Sequence, residues 1–136
     1  MAPILRRTDL HTEEVRLGIL ALQGAIEKHC EVSPLPMRSV RYPHELADCD
    51  GLIIPGGEST TIWKQMEEMG FIEVLKTFSG AIFGTCAGLI IMARLGLLDI
   101  AIERNGYGRQ IQSFECSVDF QGDAMRALFI RAPRIR

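Results

Sequence analysis

Hydrophobic and polar positions along the chain change texture once, near Leu95. Before that point, short apolar runs ending in glycine alternate with stretches of helical periodicity. "VRLGILALQG", residues 15–24, is nearly continuous apolar sequence stopped at Gln23-Gly24, as expected of a strand buried on both faces of a parallel sheet. "AIEKHCEV" reads as a short helix, "MRSVRY" as a weak second strand, and "PHELADCD" as a turn with a helical piece leading into a third apolar run, "GLIIPGG".

From Glu58 the period lengthens. Ile62, Met66 and Met69 recur at helical spacing until Gly70, with Ser59 or Thr60 expected to cap the first turn. A second helix is expected over Phe71 to Phe78, then a strand at "AIFG" and a helix at "AGLIIMARL". Such alternation predicts an α/β fold, a three-layer arrangement with a mostly parallel sheet between helices. After Leu95, "GLLDIAIERNGYGRQIQSFECSVDF" carries a turn signal at Asn105-Gly106 and short alternating runs, and "ALFIRAP" adds another strand. This predicts an antiparallel β extension.

At 136 residues the chain is long enough for one core. Residues 1–14 alternate apolar and charged positions without a secretory core or cleavage site, so they read as a flexible extension, with the folded domain over 15–136. A net charge of −2 gives no broad basic surface, which argues against a nucleic-acid partner, and no apolar stretch approaches the roughly 20 residues of a bilayer span. No membrane association and a cytoplasmic location are expected. Cys30, Cys49, Cys86 and Cys116 are widely spaced, which disfavours a metal site; three of the four are expected to be buried structural residues.

The chemistry concentrates in "FGTCAG". Strand, Gly-x-Cys-x-Gly, helix is the arrangement of a nucleophile elbow, in which a tight turn lifts the nucleophile above the sheet edge. Cys86 would sit on that turn at the N-terminus of the next helix, whose partial positive charge favours a thiolate. Such a sulfur can attack a carbonyl carbon, with the backbone N–H of Ala87 holding the developing oxyanion. A small residue in a glycine-rich turn is the plain alternative for the motif alone. "IIPGGEST" ends another expected buried strand, so Gly57 and Glu58 should project their N–H groups from the same edge. No GK[ST] follows, so this is not a phosphate-binding P-loop.

"LALQGA", "GLIIPGGESTT", "FGTCAGLI", "GLLDIAIERNGYGRQIQSFE" and "FIRAP", in this order from about Leu17 to Pro133, resemble the glutaminase subunits of pyridoxal 5′-phosphate synthase, which are class I, triad-type glutamine amidotransferases. The resemblance implies hydrolysis of L-glutamine to glutamate and ammonia through a Cys86 thioester. The ammonia would pass to a separate synthase (lyase) subunit making vitamin B6, with no cofactor of the glutaminase's own. It further implies glutamine contacts from Gly57, Glu58, Ser59, Arg104, Ile130 and Arg131, and an oxyanion-site role for Gln23. Arg104 or Arg131 could supply a fixed positive charge for the α-carboxylate, a solvated surface arginine being the plain alternative.

One departure matters. The family draws its base from a His-Pro-Glu-like segment downstream of FIRAP, and none of these residues matches it, so the expected domain lacks its C-terminal part. His11, His29 and His44 all precede Cys86. His29 and His44, tested as substitutes because a base is recognised by geometry, read as surface residues. The alternative function is therefore a catalytically incomplete form that binds the synthase without hydrolysing glutamine.

Overall fold

The computed structural model describes residues 15–104, 106–108, 112–129 and 132–136. Two compact units divide the chain between Leu98 and Asp99.

In the first unit, β1 (Leu17–Leu20), β2 (Met37–Val40), β3 (Gly51–Ile54) and β4 (Ala81–Gly84) form one sheet in the order β2-β1-β3-β4. Every pairing is parallel, with Leu17 opposite both Met37 and Gly51, and Gly51 opposite Ala81. The central strands carry the continuous apolar runs: Ile19 and Leu20, adjacent and so facing opposite ways, are both buried, as are Leu52 and Ile54. The edge strands are more open, and Phe83 on β4 is 63% exposed. α2 (Ser59–Met69) buries Ile62 and Met66, α3 (Phe71–Lys76) buries Phe71 and Leu75, and α4 (Ala87–Arg94) buries Ile91 and Met92. These side chains join Leu20, Val40 and Leu52 in one core cluster. α1 (Ile26–Val32) is different, because it has no buried residue.

Several local expectations are corrected. α2 is capped by Glu58, one residue earlier than the expected Ser59 or Thr60: its carboxylate accepts from the N–H groups of Thr60 and Thr61. Ser59 is instead the buried first residue of the helix. The short helical piece expected after β2 is present, as a 3₁₀ turn over Pro43–Asp48. α3 stops at Lys76, two residues short of Phe78. All four cysteines are free, but only Cys49 is buried; Cys30, Cys86 and Cys116 are exposed, because α1 has no buried face and Cys116 lies on an open strand.

The second unit is antiparallel, as the alternation after Leu95 predicts. β5 (Ile102–Glu103) pairs with β8 (Arg134–Ile135), and β6 (Phe114–Phe120) pairs with β7 (Asp123–Phe129) over its full length. The hairpin turn is Gln121-Gly122, with φ of 55° and 91°, the two positive values a tight two-residue turn requires. Asp119 Oδ1 accepts from the Gly122 N–H at 3.1 Å. That turn was not among the expected signals, and Asn105 of the expected one lies outside the described residues. Phe114 and Phe129, directly opposite across the ladder, stack at 4.9 Å, with Tyr107 against Phe129. Among the described residues no helix is long and apolar enough to cross a membrane.

Candidate functional site

Parallel pairing brings the ends of β1, β3 and β4 to one edge of the sheet, and the loops that follow them meet there. After β4, Gly84-Thr85-Cys86 turns sharply into α4. Cys86 is the N-terminal flanking residue of that helix and is exposed. Its backbone, at φ 51° and ψ −113°, lies far from the regions ordinary residues occupy. A side chain persists in such a conformation only when its surroundings hold it there, and such strain clusters at functional sites.

The surroundings are backbone. The Thr85 N–H donates to Ile54 O at 3.1 Å, tying the elbow to the end of β3. At Gly88 the approach is closer still: an added Cβ would lie 2.0 Å from Ile54 O, so only glycine lets α4 start against the strand. The first-turn N–H groups of Gly88 and Leu89 donate to the carbonyls of Thr85 and Cys86. Among the described residues no carbonyl accepts from the N–H of Ala87.

The diglycine loop faces the sulfur. A Cβ built at Gly56 would lie 3.1 Å from Cys86 Cβ and 3.7 Å from its Sγ. Gly57 follows, exposed, and Glu58 caps α2. The Glu58 carboxyl is held down to about 2, first by the Thr61 hydroxyl and N–H and then by the Thr60 N–H, all donating to it. That carboxylate is therefore committed to the helix cap at neutral pH.

The β1–α1 loop closes the third side. Gln23 Oε1 accepts from the Glu58 N–H at 3.2 Å, and the Ala25 N–H donates to Gly56 O at 2.9 Å. Gly24, at φ 109°, comes so close that an added Cβ would meet Gly56 O at 1.9 Å. Gln23, Gly57, Glu58, Cys86 and Ala87 thus gather at one sheet edge, with Ser59 buried just behind.

Arg104 is an exposed residue after β5 in the second unit, and Ile130 and Arg131 lie outside the described residues. His11 lies outside them as well. His44 stacks on Tyr42 at 5.9 Å. His29, expected at the surface, is instead half-buried: Nδ1 is 2.6 Å from Ala25 O and Nε2 is 2.7 Å from Thr85 Oγ1. No spacing in the sequence signals that contact, since its partners are 56 positions apart.

The wider chain has close counterparts. It is 46% identical over 138 residues to pyridoxal 5′-phosphate synthase subunit PdxT of Niallia circulans, covering 89% of this chain and 73% of that one. It is 39% identical to the protein of the same name from Methanobrevibacter smithii, over 89% and 71% of the two chains. A solved crystal structure of a glutamine amidotransferase superposes with a TM-score of 0.78 at 37% identity, covering 88% of this chain and 73% of the other. Residues 19–136, from inside β1 to the last residue, match the SNO glutamine amidotransferase family. A strained cysteine elbow on a parallel α/β sheet, a diglycine loop against its sulfur and this extent of identity have one common reading: the chain belongs to the SNO glutamine amidotransferase family.

Proposed function

We propose that the chain is the glutaminase subunit of a pyridoxal 5′-phosphate synthase, hydrolysing L-glutamine at Cys86 and delivering ammonia to a synthase subunit. The observation that carries this reading is the exposed, strained Cys86 with its sulfur against Gly56, in a chain 46% identical to a synthase subunit of that name.

The chemistry follows from the arrangement. The Cys86 thiolate attacks the side-chain carboxamide carbon of glutamine, forming the S–C bond and placing negative charge on the former carbonyl oxygen. The N–H groups of Ala87 and Gly57 are the donors for that oxygen, the Glu58 N–H being held by Gln23 Oε1. Collapse breaks the C–N bond, and the nitrogen leaves as ammonia after taking a proton. Water then attacks the γ-glutamyl thioester, releasing glutamate and restoring the thiol. Gly57, Glu58 and Ser59 contribute to glutamine binding chiefly through their backbone, since the Glu58 carboxylate caps α2 and Ser59 is buried. Arg104, Ile130 and Arg131 are assigned to the same ligand, an arginine matching its α-carboxylate.

The proton carrier belongs to the His-Pro-Glu-like segment that none of these 136 residues matches. His29 does not replace it, because both its ring nitrogens are engaged by Ala25 and Thr85.

The test is a glutaminase assay of the complete gene product with its synthase subunit, before and after Cys86→Ala. Loss of glutamate release and of labelling by an electrophilic glutamine analogue supports the assignment; retained hydrolysis removes Cys86 from it. Stable association with the synthase and no hydrolysis by the unsubstituted protein would establish the binding-only alternative.

A further inference from the structure

We propose that His29 is a positioning residue for the nucleophile: it latches the Cys86 elbow to α1 through the Thr85 hydroxyl. The inference rests on the reading of Cys86 as the nucleophile.

The hydrogen-bond roles follow from the partners. Ala25 O can only accept, so Nδ1 of His29 carries the hydrogen across the 2.6 Å contact. In the neutral ring Nε2 is then an acceptor, and the Thr85 hydroxyl, 2.7 Å away, donates to it. Thr85 immediately precedes Cys86, and its own N–H is held by Ile54 O. With both its backbone and its hydroxyl fixed, Thr85 has little freedom to let the strained residue after it relax.

The latch matters because, among the described residues, no other side chain of α1 bonds to a different element of the fold. The helix is seven residues long, has no buried residue and has no side-chain cap at its N-terminus. It cannot be located by apolar burial, which locates α2, α3 and α4. Polar contacts do it instead. Ala25 N–H to Gly56 O and Glu58 N–H to Gln23 Oε1 join the β1–α1 loop to the diglycine loop. Thr85 N–H to Ile54 O joins the end of β3 to the elbow. His29 to Thr85 joins the elbow back to α1 and closes a triangle of three loops. Remove that side, and the elbow keeps its tie to β3 and the Gln23 loop its ties to the diglycine loop, but the two lose their tie to each other.

A positioning role of this sort acts on the chemical step. Misplacing a nucleophile by a fraction of an ångström slows attack without removing the groups that bind substrate.

The experiment uses the complete gene product with its synthase subunit and measures kcat and KM for glutamine in His29→Ala, Thr85→Val, the double variant, His29→Gln and Cys86→Ala. Each single loss of the bond is expected to lower kcat about tenfold, with KM changed less than about twofold. The double variant should be no slower than the worse single one, since both remove one contact. His29→Gln, whose amide oxygen can accept from Thr85, should recover part of the loss. Unchanged kcat in His29→Ala, or losses that multiply to about a hundredfold in the double variant, would overturn the latch. A fall in melting temperature with kcat per folded molecule preserved would overturn it equally. Activity retained in Cys86→Ala would overturn the nucleophile assignment instead, so the two failures are distinguishable.

Discussion

Gln23 Oε1 accepts from the Glu58 N–H at 3.2 Å, two residues past Gly56, which lies against Cys86. In the proposed reaction that carbonyl oxygen lies beside the N–H donors assigned to the substrate oxyanion. The charge of the group at position 23 should therefore bear directly on the transition state. Gln23→Glu keeps the length and an acceptor but places a carboxylate beside the developing negative charge. We expect kcat/KM for glutamine to fall by at least tenfold, about 1.4 kcal/mol of transition-state stabilisation, with the fold unchanged by circular dichroism. An unaltered kcat/KM would place the oxyanion elsewhere.

Glu58 offers a pH-dependent counterpart. Its carboxylate accepts from the Thr61 hydroxyl and from two N–H groups at the start of α2, which lowers it from 4.5 to about 2. A carboxylate depressed in the folded state stabilises the fold above its unfolded value, and that contribution is lost as pH falls through the folded value. The stability difference between the parent protein and Glu58→Ala should thus be full at pH 6 to 7, about 1 kcal/mol by analogy with other caps. It should narrow steadily between pH 4.5 and 2. Urea titrations across that range check the sign; a difference that widens in acid would contradict it.

Much of the first unit was legible in the pattern because the central strands β1 and β3 are apolar runs that soon meet glycine, a signature that burial on two faces enforces, whereas the edge strand β2 is marked only weakly. The Cys86 elbow was legible for the same reason: its flanking strand and helix are marked independently of the motif. What escaped the pattern depends on contacts between distant residues. A histidine on a helix with no buried side chain reads as solvated, and only the approach of Thr85 makes it otherwise. The expected serine or threonine cap lost to Glu58 because the longer carboxylate reaches two N–H groups at once. The Gln121-Gly122 turn was obscured because Gln is an uncommon occupant of a positive-φ position.

The strain at Cys86 has a measurable size. Holding a residue with a Cβ at φ 51°, ψ −113° costs about 1–3 kcal/mol, and glycine is free of it. Both Cys86→Ala and Cys86→Gly remove the thiol, so they compare the backbone alone. Glycine's greater unfolded-state entropy offsets part of the relief, by about 0.5–1 kcal/mol. We expect Cys86→Gly to be the more stable of the two by about 1 kcal/mol in chemical denaturation. Were the alanine variant the more stable, the elbow would be relaxed rather than strained.

Gly88 gives the sharpest contrast, because its constraint is steric. A Cβ there would lie 2.0 Å from Ile54 O and 2.8 Å from Ile54 C, both backbone atoms of a central strand that cannot swing aside. Gly88→Ala must push the start of α4 off β3, disturbing the Thr85–Ile54 hydrogen bond and the turn that carries Cys86. Overpacking of this kind costs about 3 kcal/mol. Gly96, two residues past the end of α4, has nothing within 4 Å of an added Cβ, and only its φ of 76° resists substitution. Gly96→Ala should cost about 1 kcal/mol and leave glutamine hydrolysis intact. Gly88→Ala should lose most of the hydrolysis even at temperatures where it remains folded, since the helix that frames the sulfur has moved. Equal stability losses in the two variants would show that α4 can yield without carrying the Cys86 elbow with it.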